Sequence, residues 1–161
     1  MKKPTDLTLI VDLLNQSSAN KLPILIRIYA GDVDNDLGVI VKSGADGVIL
    51  VSDKMPMEAA LVSSRNYKDK ITIIAETSKL DYQKSVKLLA LGAAGLFLQD
   101  KCDGNQLKEF GTKLSETIGS LGVGKATDLG TEHLRTTNQK VASMTGISIA
   151  GYNSVLPMWR H

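Results

Sequence analysis

The sequence predicts an α/β protein in which an amino-terminal helix precedes four βα units with parallel strands. Three observations carry that expectation. Ser43-Gly44-Ala45-Asp46-Gly47-Val48-Ile49-Leu50 is echoed 48 residues later by Leu91-Gly92-Ala93-Ala94-Gly95-Leu96-Phe97-Leu98. Each copy closes a helical pattern and opens an apolar run, which reads as a helix-ending glycine, a tight turn and a buried strand. Two further apolar runs, Leu25-Ile26-Arg27-Ile28 and Ile71-Thr72-Ile73-Ile74, sit at about half that spacing. Strands and helices alternating every ~24 residues mark a parallel sheet with helices packed on it.

Taken in order, residues 5–16 place Leu7, Ile10, Val11 and Leu14 at helical spacing, with Thr5 as N-cap. Pro23 opens a strand from Ile24 to Tyr29. The next helix turns Val33, Leu37, Ile40 and Val41 inward and carries Asp32, Asp34 and Asp36 at its start, where the helix dipole favours anions. Val48–Val51 is the second strand. Pro56 suits the first turn of a third helix reaching Asn66. Ile71–Ala75 is the third strand. Tyr82, Val86, Leu89 and Ala90 line a fourth helix, and Ala93–Leu98 forms the fourth strand. A long helix, Asn105–Leu121, aligns Leu107, Phe110, Leu114, Ile118 and Leu121. Residues 1–124 read as the βα domain. From residue 125 to 161 the periodicity weakens, with a short helix over Asn138–Met144 capped by Thr136 or Thr137. The apolar end with Tyr152, Pro157 and Trp159 reads as an arm packing on the core or on a partner.

Composition narrows the function classes. With 161 residues the chain can bury a core without staples. Nineteen basic and 17 acidic residues are too balanced to point to nucleic acid or a membrane surface. Cys102 stands alone, so neither an intramolecular disulfide nor a cysteine-held metal cluster is expected. Asp6 and Asp12 interrupt the basic start, against a secretion signal, and no apolar run nears the roughly 20 residues that span a bilayer. A cytoplasmic setting is expected.

Parallel sheets place their chemistry at the carboxyl ends of their strands. There the sequence sets Arg27, Tyr29 and Asp32; Ser52, Asp53 and Lys54; Glu76, Thr77 and Ser78; and Gln99, Asp100 and Lys101. Arg27 shares a strand face with Leu25 and Tyr29. A guanidinium there needs a partner: a structural ion pair with Glu76 or Asp53, or an anionic ligand. Phosphate needs glycines for close backbone approach and a helix N-terminus, and no strand-end loop supplies Gly-Gly or Gly-x-Gly. Asp53, Glu76 and Asp100 are oxygen ligands of the kind magnesium takes, but lysines follow two of them. No nucleophile elbow, Walker loop or zinc spacing occurs. His133 sits in a polar turn and reads as a surface residue. No catalytic residue and no metal ligand is assigned.

Lys21–Ile28, Asp32–Leu50 and Leu88–Ala93, together with Glu132–Thr137 and Met144–Gly151, resemble the carboxyl-terminal half of the FMN-binding barrel of glutamate synthase, in its archaeal-type form. The resemblance implies half of a TIM-type barrel from a family that reduces 2-iminoglutarate to glutamate through FMN and an iron–sulfur cluster. It also implies where FMN would lie. The family's strand lysine falls at Arg27. Its Gly-Gly-Thr-Gly loop falls just after Ser52, at Asp53-Lys54-Met55-Pro56. Its phosphate turns fall at Glu76-Thr77-Ser78 and at Gln99-Asp100. Side chains, some of them anionic, replace the glycines, and like charges brought together out of water cost several kcal/mol. The expectation is a degenerate cofactor site without useful FMN affinity, in a structural or regulatory companion of nitrogen metabolism. Open sheet edges and an exposed inner face imply a homodimer or association with a synthase-type barrel subunit. An active synthase subunit completed by a partner is one alternative. The other is a receiver-like signalling domain, which Lys54-Met55-Pro56 and Ala75-Glu76-Thr77 also resemble, and which implies a flavodoxin-like open sheet.

Overall fold

Four parallel strands and the helices between them make up most of the computed structural model, which describes residues 4–19 and 22–151. Helix α1 spans Pro4–Ser17, so Thr5 lies inside its first turn rather than before it. Strand β1 (Leu25–Tyr29), helix α2 (Val33–Ser43), strand β2 (Gly47–Val51), helix α3 (Met57–Ser63), strand β3 (Thr72–Thr77), helix α4 (Tyr82–Ala90), strand β4 (Gly95–Leu98) and helix α5 (Gly104–Ser120) follow. The strands hydrogen-bond in the order β1-β2-β3-β4. That is the succession in a barrel segment. The flavodoxin-like alternative requires β1 between β2 and β3, so the receiver reading loses its fold.

Chain order and handedness together decide where the core lies. Right-handed crossovers between successive strands put their helices on the same side of the sheet. Val48, Leu50, Ile73 and Ala75 point to that side and bury against Leu37 and Ile40 of α2, Leu61 of α3 and Leu88 of α4. Burying each large side chain contributes roughly 1.5–3 kcal/mol. The opposite face carries Leu25, Arg27 and Tyr29 of β1, level with Gly47, Ile49 and Val51 of β2. Thr72, Ile74 and Glu76 of β3, with Gly95 and Phe97 of β4, complete it. Leu25, Ile49, Val51, Ile74 and Phe97 of that face stand outside the core cluster.

The two copies of the glycine motif diverge at their ends. Gly44 caps α2 with φ +79°, and Gly92 follows α4 with φ +109°. The first copy then launches the buried β2. The second launches β4, which is only half-buried, with Phe97 44% exposed. The expectation of two equally buried strands fails because β4 is the edge of the sheet. The apolar line on α5 is likewise only partly covered: Ile118 is buried, while Leu107 and Leu121 are exposed.

Beyond α5, strand β5 (Arg135–Thr136) pairs parallel with strand β6 (Ser148–Ile149) around helix α6 (Gln139–Thr145). Asn138, not Thr136 or Thr137, caps α6, accepting from the N–H groups of Lys140 and Val141. Ile147 joins the main core, and Leu129 packs with Val86, Ala90 and Ile118. His133 is half-buried rather than at the surface, its Nδ1 accepting from the Gly130 N–H at 3.1 Å. Tyr152, Pro157, Trp159 and the end of the arm lie outside the described residues. Among the described residues, no helix is long and apolar enough to cross a membrane.

Candidate functional site

The open sheet face ends, at the carboxyl side of its strands, in one bidentate ion pair. Arg27 Nε donates to Glu76 Oε2 at 2.6 Å, and Nη2 donates to Oε1 at 2.7 Å. The pair reaches from β1 to β3 across β2. Strand alternation puts both residues on this face, and the register brings them within reach. Glu76 is only 5% exposed and Arg27 41%. Tyr29 adds a second contact: its hydroxyl accepts from Nη1 at 3.3 Å, and the guanidinium stands 5.3 Å from the ring centre. The hydrogen bonds from Arg27 hold the Glu76 carboxyl below the usual carboxylate range, against the upward push of burial. Glu76 and Tyr29 in turn hold Arg27 protonated above the ordinary arginine value. The pair is therefore charged throughout the physiological range.

The remaining residues of the candidate site do not converge on this pair. Ser52 is exposed and its Oγ donates to the Met55 carbonyl at 3.1 Å, closing the turn after β2. Thr77 is buried and donates to the Lys79 carbonyl at 3.0 Å. Ser78 is exposed. Gln99 is exposed, its N–H bonded to the Thr77 carbonyl at 3.0 Å. Asp53, Glu76 and Asp100 form no metal-binding group among the described residues.

The helix starts matter more than the strand ends, and sequence reading gave them too little weight. A barrel holds phosphate on the free N–H groups that open the helix after a strand. Asp32 occupies that place before α2, accepting from the Asn35 N–H at 3.4 Å. Burial, then the Asp32 charge, pushes Asp36 upward in the same turn. Asp81 accepts from the Lys84 N–H before α4 at 2.9 Å. Asp103 accepts from the Gln106 N–H before α5 at 2.8 Å, and Gln106 returns the bond to complete a capping box. Pro56 stands before α3. Three of the four helix starts thus carry a carboxylate where a phosphate would sit, while the start of α3 has no side-chain cap. At α2, α4 and α5 the residues present do not fit the phosphate of a flavin nucleotide. The signals were in the sequence as Asp81-x-x-Lys84 and Asp103-x-x-Gln106.

A cleft of about 370 Å³ opens beside this end of the sheet, between the β3–α4 loop and α5, with Leu80, Tyr82, Leu98 and Phe110 among its walls and Lys79 and Lys101 in its lining. Comparison of the chain with protein-family models, curated proteins and solved structures gives no match.

Proposed function

We propose that this chain is a relative of the glutamate synthase FMN barrel that no longer takes the flavin and serves as a non-catalytic structural or regulatory companion in glutamate metabolism. The ordered motif resemblance supports the ancestry, and the four parallel βα units agree with it. The loss of the cofactor rests on a single observation, the capping of the helix starts by Asp32, Asp81 and Asp103. A phosphate there would displace hydrogen bonds already made and face a fixed carboxylate at each place. Arg27 supports the same reading. It stands where the family's lysine meets the flavin, but both edges of its guanidinium are taken by Glu76 and Tyr29.

Titration with FMN, followed by quenching of flavin fluorescence, tests the proposal. The expected result is no saturable binding up to about 100 μM, which bounds the affinity below about 5.5 kcal/mol. A yellow protein as purified, or micromolar binding, overturns it. The alternative of an active subunit completed by a partner draws on the open inner face. It requires flavin binding to appear once the partner is added.

A further inference from the structure

We propose that two copies of this chain close one eight-stranded parallel barrel, the β4 edge of each pairing with the β1 edge of the other about a two-fold axis along the strands. This goes beyond the reading above and does not depend on it.

The first support is where exposed apolar surface lies. Twelve large apolar side chains are exposed among the described residues. Ten stand on or beside the elements at the two ends of the sheet: Leu9, Ile10, Leu13 and Leu14 on α1, Leu22, Leu25 and Tyr29 at β1, Phe97 on β4, and Leu107 and Leu121 at α5. None stands on α2, β2, α3, β3 or α4. The middle of the molecule is finished and both ends are not. Ten half-exposed side chains with two strand edges supply on the order of the 800 Å² per partner that a stable interface buries. A two-fold contact needs one surface complementary to itself. Among the described residues the β1 edge is free at one end of the sheet and the β4 edge at the other, which meets that need with parallel strands at both junctions.

The second support is register. Arg27 is level with Ile49, Ile49 with Ile74, and Ile74 with Gly95. Gly95 stands to Ile74 as Gly47 stands to Leu25. Gly47 pairs onward with Thr72, two residues before Ile74. Continuing the repeat, Gly95 pairs onward with Pro23 of the second copy, two residues before Leu25, and Phe97 pairs with its Leu25. One passage across a copy therefore moves from Arg27 to Pro23, a slip of four residues. Two copies slip by eight, which is the shear of the eight-stranded (β/α) barrel. The slip is even, so the inward face continues inward across both junctions. The backbone groups agree. The Gly47 N–H bonds to the Ile24 carbonyl and the Gln99 N–H to the Thr77 carbonyl, so Ile24 and Gln99 face the neighbouring strand. By alternation, Leu25 and Arg27 of β1 and Leu96 and Leu98 of β4 turn their N–H and C=O groups to the free edges. Closure gives them partners. Pro23 has no N–H, so each junction forgoes one bond at its start.

Sedimentation of the full chain between 1 and ~100 μM is expected to give a dimer of twice 17.3 kDa. Leu25→Asp and Phe97→Asp are expected to weaken it at least 100-fold with the circular dichroism unchanged, while Met144→Asp, on α6, leaves it intact. Geometry is tested by Leu25→Cys/Phe97→Cys in a Cys102→Ser background. Within one chain these positions are three strand spacings apart, roughly 14 Å, too far to bridge. Across the proposed junction they are neighbours at about 4.8 Å, within disulfide reach. Oxidation is expected to yield a covalent dimer with two bonds from the double variant, and none from either single variant. A monomer throughout that range overturns the proposal. So does a dimer whose double variant does not cross-link, which means face-to-face stacking, or one that cross-links into a ladder, which means an open polymer.

Discussion

Arg27 and Glu76 stand on strands that are not neighbours, and their pairing spans β2 on the sheet face opposite the core cluster. Their exposures make the pair asymmetric. Glu76 is nearly buried, so removing Arg27 leaves a carboxylate with little access to water, whereas Arg27 without Glu76 still reaches solvent. Arg27→Met is therefore expected to lower the urea midpoint more than Glu76→Gln. The reverse order would mean the pair is not what keeps Glu76 ionised. The pH dependence follows from the depressed carboxyl. A group whose folded pKa lies below its unfolded value stabilises above the unfolded value, near 4.3 for glutamate, and that contribution fades as pH falls through the lower folded value. The stability gap between the native chain and Glu76→Gln is thus expected to be full at pH 6–7 and to shrink steadily below about pH 4.3. A gap unchanged from pH 7 to pH 3 contradicts the assignment. The need for a partner was legible in the sequence, because alternation puts Arg27 on a sheet face. The choice of Glu76 over Asp53 was not, because it depends on how far β3 slides along β2.

At the scale of single elements, the repeated motif tests how far local sequence decides structure. Gly44 and Gly92 have positive φ, which an L side chain rarely adopts. Gly44→Ala is expected to cost about 1–2 kcal/mol by that strain alone. Gly47 and Gly95 occupy the same place in the two copies and face the same side of the sheet, yet their surroundings differ. A Cβ on Gly47 would come 2.6 Å from Leu25 Cδ2 and 3.0 Å from the Thr72 carbonyl oxygen, whereas a Cβ on Gly95 meets nothing within 4 Å. Gly47→Ala is expected to cost about 1–3 kcal/mol as overpacking. Gly95→Ala is expected to leave protomer stability within ~0.5 kcal/mol. Equal losses in chemical denaturation would show that the repeat, not the neighbouring strand, sets the constraint. Helices and strands were legible here because apolar periodicity and glycine stops are local. The half-burial of β4 was not, because it depends on a further strand that is not beside it among the described residues.

For the whole molecule, sequential strand order explains both the closed core and the open face: one-handed crossovers bury one side of the sheet and leave the other bare. The alternation of units revealed the four strands, but the side left uncovered became visible only once the order β1-β2-β3-β4 was known. The same scale settles the part played by the segment after α5. Ile147, 6% exposed, belongs to the cluster that contains Ile71, Leu91 and Ala93, which lead into β3 and β4. Ala142, 2% exposed, is buried on the inner side of α6. If these contacts only dock an appendage, Ile147→Ala would loosen α6 and leave the sheet untouched. If they complete the core, the cost is shared by every strand, because a cooperative domain unfolds as a unit. The second outcome is expected, since Ile147 packs into the same cluster as Leu50 and Ile73 at the centre of the sheet. Ile147→Ala should lower global stability by about 2–4 kcal/mol. Native-state hydrogen exchange of the Ile73 and Ala75 amides should accelerate by that same free energy. Faster exchange confined to α6 and β6, with the β3 amides unchanged, would separate the segment from the core and reverse that conclusion.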